Sequence, residues 1–287
     1  MKLLQGLSER FRQFKKQRRI ARAYDELAQR ATQGGAWQTK SHGLSRRLIV
    51  SLTSFPDRFD TLMPTLQCLL FQTVRPDSVQ LWIAYDDIAS LPGNIVGLEA
   101  LGLEIRPCAD IRSYKKIIPA LSEAPDSLIV TADDDVYYWS TWLEELVEAY
   151  RTTGNTVIAH RAHRIRLQSD GTPVSYINWE RPVRQRMAGS LIFPTGVHGV
   201  LYDPKVLHPD VTREDLFMSL CPSADDVWLY WMHRRCGSKP HVLATGHRTI
   251  EWPESQAVRL QSNNLAGGGN DVAIAAMITK FGFLSDD

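Results

Sequence analysis

Three short apolar runs constrain this chain more than any other feature: Leu48-Ile49-Val50-Ser51-Leu52, Val79 to Tyr85, and Leu128-Ile129-Val130-Thr131-Ala132. Runs of this length suit buried strands better than helices. Each stops at a polar or acidic cluster: Ser54-Phe55-Pro56-Asp57, Asp86-Asp87 and Asp133-Asp134-Asp135. Between them, Leu62 to Phe71 and Tyr114 to Leu121 read as helices, and Leu103 to Arg106 and Thr156 to His160 as further strands. Thr141 to Glu144 resembles a capping box, followed by Leu143, Leu146, Val147 and Tyr150 on one helical face. Strands alternating with helices predict an α/β fold: a mostly parallel, twisted sheet flanked by helices on both sides. In such sheets ligands collect beyond the carboxyl ends of the strands, where each of these three clusters falls.

The chain has 287 residues, enough for one sizeable core, with 44% hydrophobic and 23% charged residues. Its net charge of +1 conceals a division. Residues 1–22 carry eight bases against one acid, so the remainder of the chain is net −6. A mildly acidic body argues against nucleic acid as the partner, because phosphate binding needs a basic face on the folded domain. Residues 1–32 read as a basic amphipathic helix with Leu3, Leu4, Leu7, Phe11 and Phe14 on one side, suited to an anionic membrane surface. Residues 33–46 read as a linker with paired glycines, and 47–287 as a single domain. Four cysteines lack zinc-ligand spacing, and no run reaches the roughly 18 apolar residues of a membrane span. The expected location is the cytoplasm, with peripheral attachment to the inner face of the membrane.

The acidic triplet is the strongest chemical signal. Alternate side chains of extended backbone share a face, so Asp133 and Asp135 could converge on one hard cation, Mn²⁺ or Mg²⁺, unless the triplet is a solvated turn or a helix cap. Asp225-Asp226 opens a second helical run; one carboxylate could accept a proton from an attacking hydroxyl, and a capping role explains the pair as well. Gly196 and Gly199, flanking Val197-His198, permit close approach of a ligand to the backbone or make a tight turn. Lys115 and Lys116 could neutralise a diphosphate or be surface lysines. Arg58 follows the first strand, where a nucleotide would lie, and a salt bridge to Asp57 within the turn accounts for it equally well. His247 becomes a metal-ligand candidate if the chain returns to Asp133, with His241 as the competitor.

The order of these pieces resembles the GT-A glycosyltransferases, over roughly Arg47 to His247, and most of all the small bacterial transferases of surface-glycan synthesis. The resemblance implies a GT-A-like fold and an enzyme moving a sugar from a nucleotide-sugar donor to a hydroxyl of a glycan or lipid-linked acceptor, with inversion. It implies that Asp133, Asp135 and His247 hold the metal, and that Asp226 is the catalytic base with Asp225 beside it. Arg58 and Asp86 fall at the nucleoside, Lys115, Lys116 and Asp134 are counted with the donor-binding residues, and Gly196 to Gly199 line the loop between donor and acceptor. The sequence departs from the family in three places: the triplet lets Asp134 replace a ligand, His198 sits inside the glycine loop, and Asp225 stands where Glu is more usual. A nucleotidyltransferase on a similar sheet, or a non-catalytic glycan-assembly scaffold, are the alternatives; a glycine-rich basic loop after the first strand would favour the former, and Ser54 to Arg58 contains no glycine.

Overall fold

The computed structural model describes residues 2–33, 40–154, 156–255 and 268–284, so residues 34–39 of the expected linker lie outside the described residues. The chain opens with helix α1 (Lys2–Gln33), then β1 (Lys40–Ser41), β2 (Leu48–Thr53), α2 (Phe59–Leu70), β3 (Val74–Arg75) and β4 (Ser78–Ala84). It continues through α3 (Gly93–Val96), β5 (Leu103–Cys108), α4 (Ile118–Glu123), β6 (Leu128–Thr131), α5 (Trp142–Thr153), β7 (Val157–Ala159) and β8 (Ala162–Arg164). The last part holds β9 (Met187–Ala188), β10 (Ile192–Pro194), β11 (Val200–Tyr202), α6 (Glu214–Leu220), α7 (Asp225–Arg234), β12 (His241–Val242) and α8 (Gly269–Phe281).

Eight strands form one sheet in the order β5-β4-β2-β6-β11-β7-β12-β9. Six run in one direction, and β11 and β9 run against their neighbours. This is the mostly parallel, helix-flanked α/β sheet that the alternating pattern predicts. Leu48, Val50 and Leu52 of β2 enter one hydrophobic cluster and Ile49 the other, so the period-2 backbone feeds both faces. On the second face Ser51 accepts a hydrogen bond from Trp82 Nε1 at 3.1 Å, which satisfies the one polar side chain in the run up to Leu52.

Two local expectations give way to side-chain chemistry. Tyr114 to Leu121 is not one helix: a 3-10 turn over Arg112–Lys116 precedes α4, which begins at Ile118. Pro119 lacks an N–H and is tolerated in a first turn, so the helix starts there. Thr141 is the N-cap of α5 without a side-chain cap; its hydroxyl donates instead to Glu145 Oε1 at 2.7 Å. Glu144 turns to Lys40 at 3.0 Å and Thr73 at 2.8 Å, so no capping box forms.

Helix α1 is divided along its length. Phe11 and Phe14 are 58% and 53% exposed, whereas Ala23, Leu27 and Arg30 are buried. Tyr24 lies 4.8 Å from Trp252 between ring centroids. Arg30 donates to the Tyr138 carbonyl at 3.1 Å and to the Tyr137 hydroxyl at 2.7 Å. The expected boundary at residue 32 therefore falls in a stretch of helix that packs against the residues just beyond the acidic triplet. Among the described residues no helix is long and apolar enough to cross a membrane.

Candidate active site

The carboxyl ends of β2, β4 and β6 lie along one edge of the sheet, and each releases polar groups there. After β2 the chain turns through Pro56–Arg58 and brings back the Arg58 side chain. Its Nη1 donates to Asp134 Oδ1 at 2.8 Å and lies 2.7 Å from Asp135 Oδ2. Ser54 donates to the other oxygen of Asp134 at 2.6 Å. Burial pushes the Asp134 carboxyl up to about 6 against the opposing pull of Arg58. The same burial works against the Arg58 charge, but Asp134 and Asp135 outweigh it and hold the guanidinium above its usual range.

Asp133 belongs to a different network. Lys116 Nζ lies 3.1 Å from Asp133 Oδ1 and 2.9 Å from Asp225 Oδ2. Burial disfavours the ammonium, yet Asp133, Asp225 and Asp226 hold it charged, well above its ordinary pKa. Asp225 Oδ1 also accepts from Ser113 at 2.9 Å. The Asp133 backbone N–H donates to the Tyr138 hydroxyl at 2.7 Å, which fixes the turn after β6.

Asp226 differs from its neighbour. Both of its oxygens accept from the Gly196 backbone N–H, at 3.0 and 3.1 Å. Burial first, and the charge of Asp225 second, push its carboxyl up to about 7. A Cβ on Gly196 would stand 3.0 Å from Lys116 Nζ and 3.2 Å from Asp226 Oδ1, so a side chain there would crowd both groups. Gly199 has φ +84, and a Cβ on it would meet Trp142 Cζ2 at 2.5 Å. His198, between them, adopts a φ of 75 without being glycine, and its carbonyl accepts from Trp142 Nε1 at 2.6 Å. Burial, followed by Arg161 and His247, lowers the His198 imidazole to about 4, so it is neutral at physiological pH.

The structure thus gathers Arg58, Lys116, Asp133, Asp134, Asp135, Gly196, Asp225 and Asp226 in one region. Lys115 is elsewhere: its ammonium pairs with Asp110 at 2.9 Å. Asp86 is exposed just past β4, within the turn Tyr85–Ser90. The late segment does return to the triplet, since Tyr137 N–H donates to Ile250 O at 2.9 Å and Trp252 N–H to Asp135 O at 3.0 Å. His247 is exposed and stacks flat on Trp139, with ring centroids 3.8 Å apart. His241 is a half-buried residue of β12. Three contributors escaped the sequence reading: Ser54, Ser113 and Arg161, the last donating to Thr195 Oγ1 at 2.8 Å. The signal for Ser54 is its place in the polar turn after the first strand.

Among the described residues no group of three or more His, Cys, Asp or Glu side chains is placed to hold a metal ion by itself. The donor set fits a more limited task. Asp133 and Asp135 have partly exposed, hard oxygen donors, with side-chain exposures of 24% and 15%. Mg²⁺ commonly takes one or two such carboxylates and completes its shell with water and substrate phosphates.

No protein-family model matches the sequence, and no curated protein does. Among solved structures, a 4-diphosphocytidyl-2C-methyl-D-erythritol synthase aligns with 74% of this chain and 97% of its own, at 12% identity and a TM-score of 0.44. A likeness at that level bears on neither the site nor the reaction.

Proposed function

We propose that the protein is a glycosyltransferase that moves a sugar from a nucleotide-sugar donor to a hydroxyl of a glycan or lipid-linked acceptor. The observation that carries this reading is the placing of Asp226 at the sheet edge beside the triplet, where the Gly196 amide holds both its oxygens and burial pushes its carboxyl up to about 7. A general base works best when its pKa lies near the working pH. Asp225 is tied to Lys116 and Ser113, which makes it a positioning residue and leaves Asp226 as the base.

In the transfer, Asp226 takes the proton of the acceptor hydroxyl while that oxygen bonds to the anomeric carbon. The bond from that carbon to the leaving phosphate oxygen breaks, and its electron pair departs with the nucleoside diphosphate. The sugar passes through an oxocarbenium-like transition state. A single base opposite the leaving group gives inversion. Asp133 and Asp135 would hold a Mn²⁺ or Mg²⁺ that arrives with the diphosphate and neutralises its developing charge. Lys116 lies between Asp133 and Asp225, and Arg58 faces Asp134 and Asp135, so each cation offsets the charge of the carboxylates beside it.

The test is to offer a panel of nucleotide sugars with Mn²⁺ and identify what is released. Nucleoside diphosphate is expected; pyrophosphate would instead indicate nucleotidyl transfer. Failure of every nucleotide sugar to bind sinks the proposal. Calorimetry with and without Mn²⁺ tests the metal independently of turnover.

The first half of α1 supports a membrane partner. Phe11 and Phe14 are exposed, with Lys15 Nζ 4.3 Å above one ring and Arg18 5.7 Å from the other, which suits an interface with anionic lipid. Deleting residues 1–22 should release the protein from anionic vesicles with little change in melting temperature, because among the side chains of α1 that are described, from Arg10 on, the first buried one is Ala23. Undiminished vesicle binding refutes the attachment.

A further inference from the structure

Residues 161–189 reverse the charge of the body around them. They contain six arginines, at 161, 164, 166, 181, 184 and 186, against two acids, Asp170 and Glu180. Arg164, Arg166, Arg184 and Arg186 are exposed, and none of the six forms an ion pair among the described residues. The four exposed arginines therefore present their charge to solvent, on a body that is otherwise net acidic.

Strand β8 pairs antiparallel with β10, through Ala162 opposite Pro194 and Arg164 opposite Ile192. Strand β10 leads directly into Thr195 and Gly196, whose backbone holds Asp226. Arg161 is bonded into that same corner: its carbonyl accepts from Thr195 N–H at 3.1 Å, and its Nη1 donates to Thr195 Oγ1 at 2.8 Å. The 180s come alongside through paired bonds between Arg164 and Glu180 (3.0 and 3.2 Å) and a bond from Val183 N–H to Ala162 O at 2.9 Å. Arg181 lies 5.7 Å over the Tyr176 ring, and Tyr176 lies 5.4 Å from the His163 ring. Burial lowers the pKa of Arg161 and raises that of Tyr176, and both also sense the charge of Asp226. The basic surface therefore begins at the proposed base and extends away from it.

The sheet order fixes which side this is. Arg58 and the triplet follow β2 and β6, and Lys116 reaches the triplet from the segment after β5. The arginines follow β7, on the far side of β11, with the Gly196 loop and Asp226 between. With the donor diphosphate on the triplet side, the arginine side belongs to the group that gives up its proton to Asp226.

We propose that this arginine surface binds an anionic acceptor, a glycan bearing carboxylate or phosphate groups, and holds it so that a hydroxyl faces Asp226. The proposal rests on the transferase reading above. Arginine suits the task because its planar guanidinium can pair bidentately with either oxyanion. A field of one sign at the mouth of a site also speeds the approach of an oppositely charged ligand and makes binding fall with salt.

The test uses the full chain and equilibrium binding. The probes are a hexasaccharide of alternating glucuronate and N-acetylhexosamine, a hexasaccharide carrying one phosphate per repeat, and the carboxyl-reduced neutral form of the first. At least one acidic probe should bind about tenfold or more tighter than the neutral one, a difference of about 1.4 kcal/mol. That preference should weaken with salt and fall about tenfold in the double variant Arg184→Gln/Arg186→Gln. Both positions are exposed, and an unchanged melting temperature establishes that the variant is folded. Equal binding of acidic and neutral probes overturns the proposal, as does an acidic preference that the double variant leaves intact. It is also overturned if a charge-matched DNA dodecamer binds as tightly as the acidic sugars, or if the variant loses anionic-vesicle binding in place of glycan binding. Nucleotide-sugar binding, measured on the same wild-type preparation, separates the two readings: its absence counts against the transferase, and absence of acidic-glycan binding counts against the acceptor.

Discussion

The two acidic clusters look alike on paper and are handled differently by the fold. The triplet divides its charge between two side-chain cations: Asp134 and Asp135 face Arg58, and Asp133 faces Lys116. The pair divides by partner: Asp225 is tied to Lys116 and Ser113, while the hydrogen bonds to Asp226 among the described residues come from the Gly196 backbone amide. A backbone N–H carries no unit charge, so it offsets less of the cost of burying a carboxylate than an ammonium does. Burial first, and the charge of Asp225 second, push the Asp226 carboxyl up to about 7 against the pull of Lys116 and the Gly196 amide. Burial dominates in the triplet as well, where it raises the Asp134 carboxyl to about 6 even with Arg58 beside it.

Lys116 is where the comparison can be broken most severely, because its ammonium pairs with a carboxylate of each cluster. Replacing it, Lys116→Met, leaves Asp133 and Asp225 facing each other without a cation. Loss of one partner from a buried pair costs about 3–5 kcal/mol, so urea denaturation should show a drop of that order. A change below about 1 kcal/mol would mean that the clusters do not depend on a shared cation.

Asp226→Asn separates function from fold. The amide keeps the shape but cannot take a proton, and transfer should fall by about 10²–10⁴-fold with nucleotide-sugar binding retained. Asp225→Asn should cost less in kcat, and a larger loss there would exchange the two roles. With Asp226 as the base, kcat/KM should rise with pH and level off above about 7.

Stability should follow the opposite course with pH. The folded carboxyl of Asp226 has its pKa raised from 3.8 to about 7, so between those values the native state binds more protons than the unfolded chain. Stability contributed by this group is therefore present below about pH 4 and lost as pH rises towards 7. Asp226→Asn should melt progressively higher than wild type across that window, with a constant difference above it. Parallel melting curves at all pH values would contradict a buried, amide-held carboxylate.

The smallest expected effect concerns the triplet alone. Ser54→Ala removes a bond to the buried Asp134 carboxylate, worth about 1.5–3 kcal/mol for a charged acceptor. Activity should change little beyond what the loss of stability explains, since Asp226 belongs to the other network. A fall in kcat comparable to that of Asp226→Asn would show that the networks are not separate.

Much of this molecule is legible in its sequence. The alternating runs identify the sheet strands β2, β4, β5, β6 and β7, and their polar endings locate the candidate site at one edge. The helix over Tyr114 to Leu121 is broken because Pro119 permits only a start. The apparent capping box fails because Glu144 finds Lys40 and Thr73, partners that sequence spacing does not reveal. Lys115 and Lys116 are adjacent in the chain, yet one pairs with a surface aspartate and the other lies buried between two acids.

The sequence by itself determined the α/β sheet and the grouping of carboxylates at its carboxyl ends, because strand periodicity and chain direction are local properties. The tertiary structure decided which carboxylate meets which cation. Lys116, Asp133, Gly196 and Asp226 are far apart along the chain, and the balance of burial against charge at each depends on which of the others is packed against it.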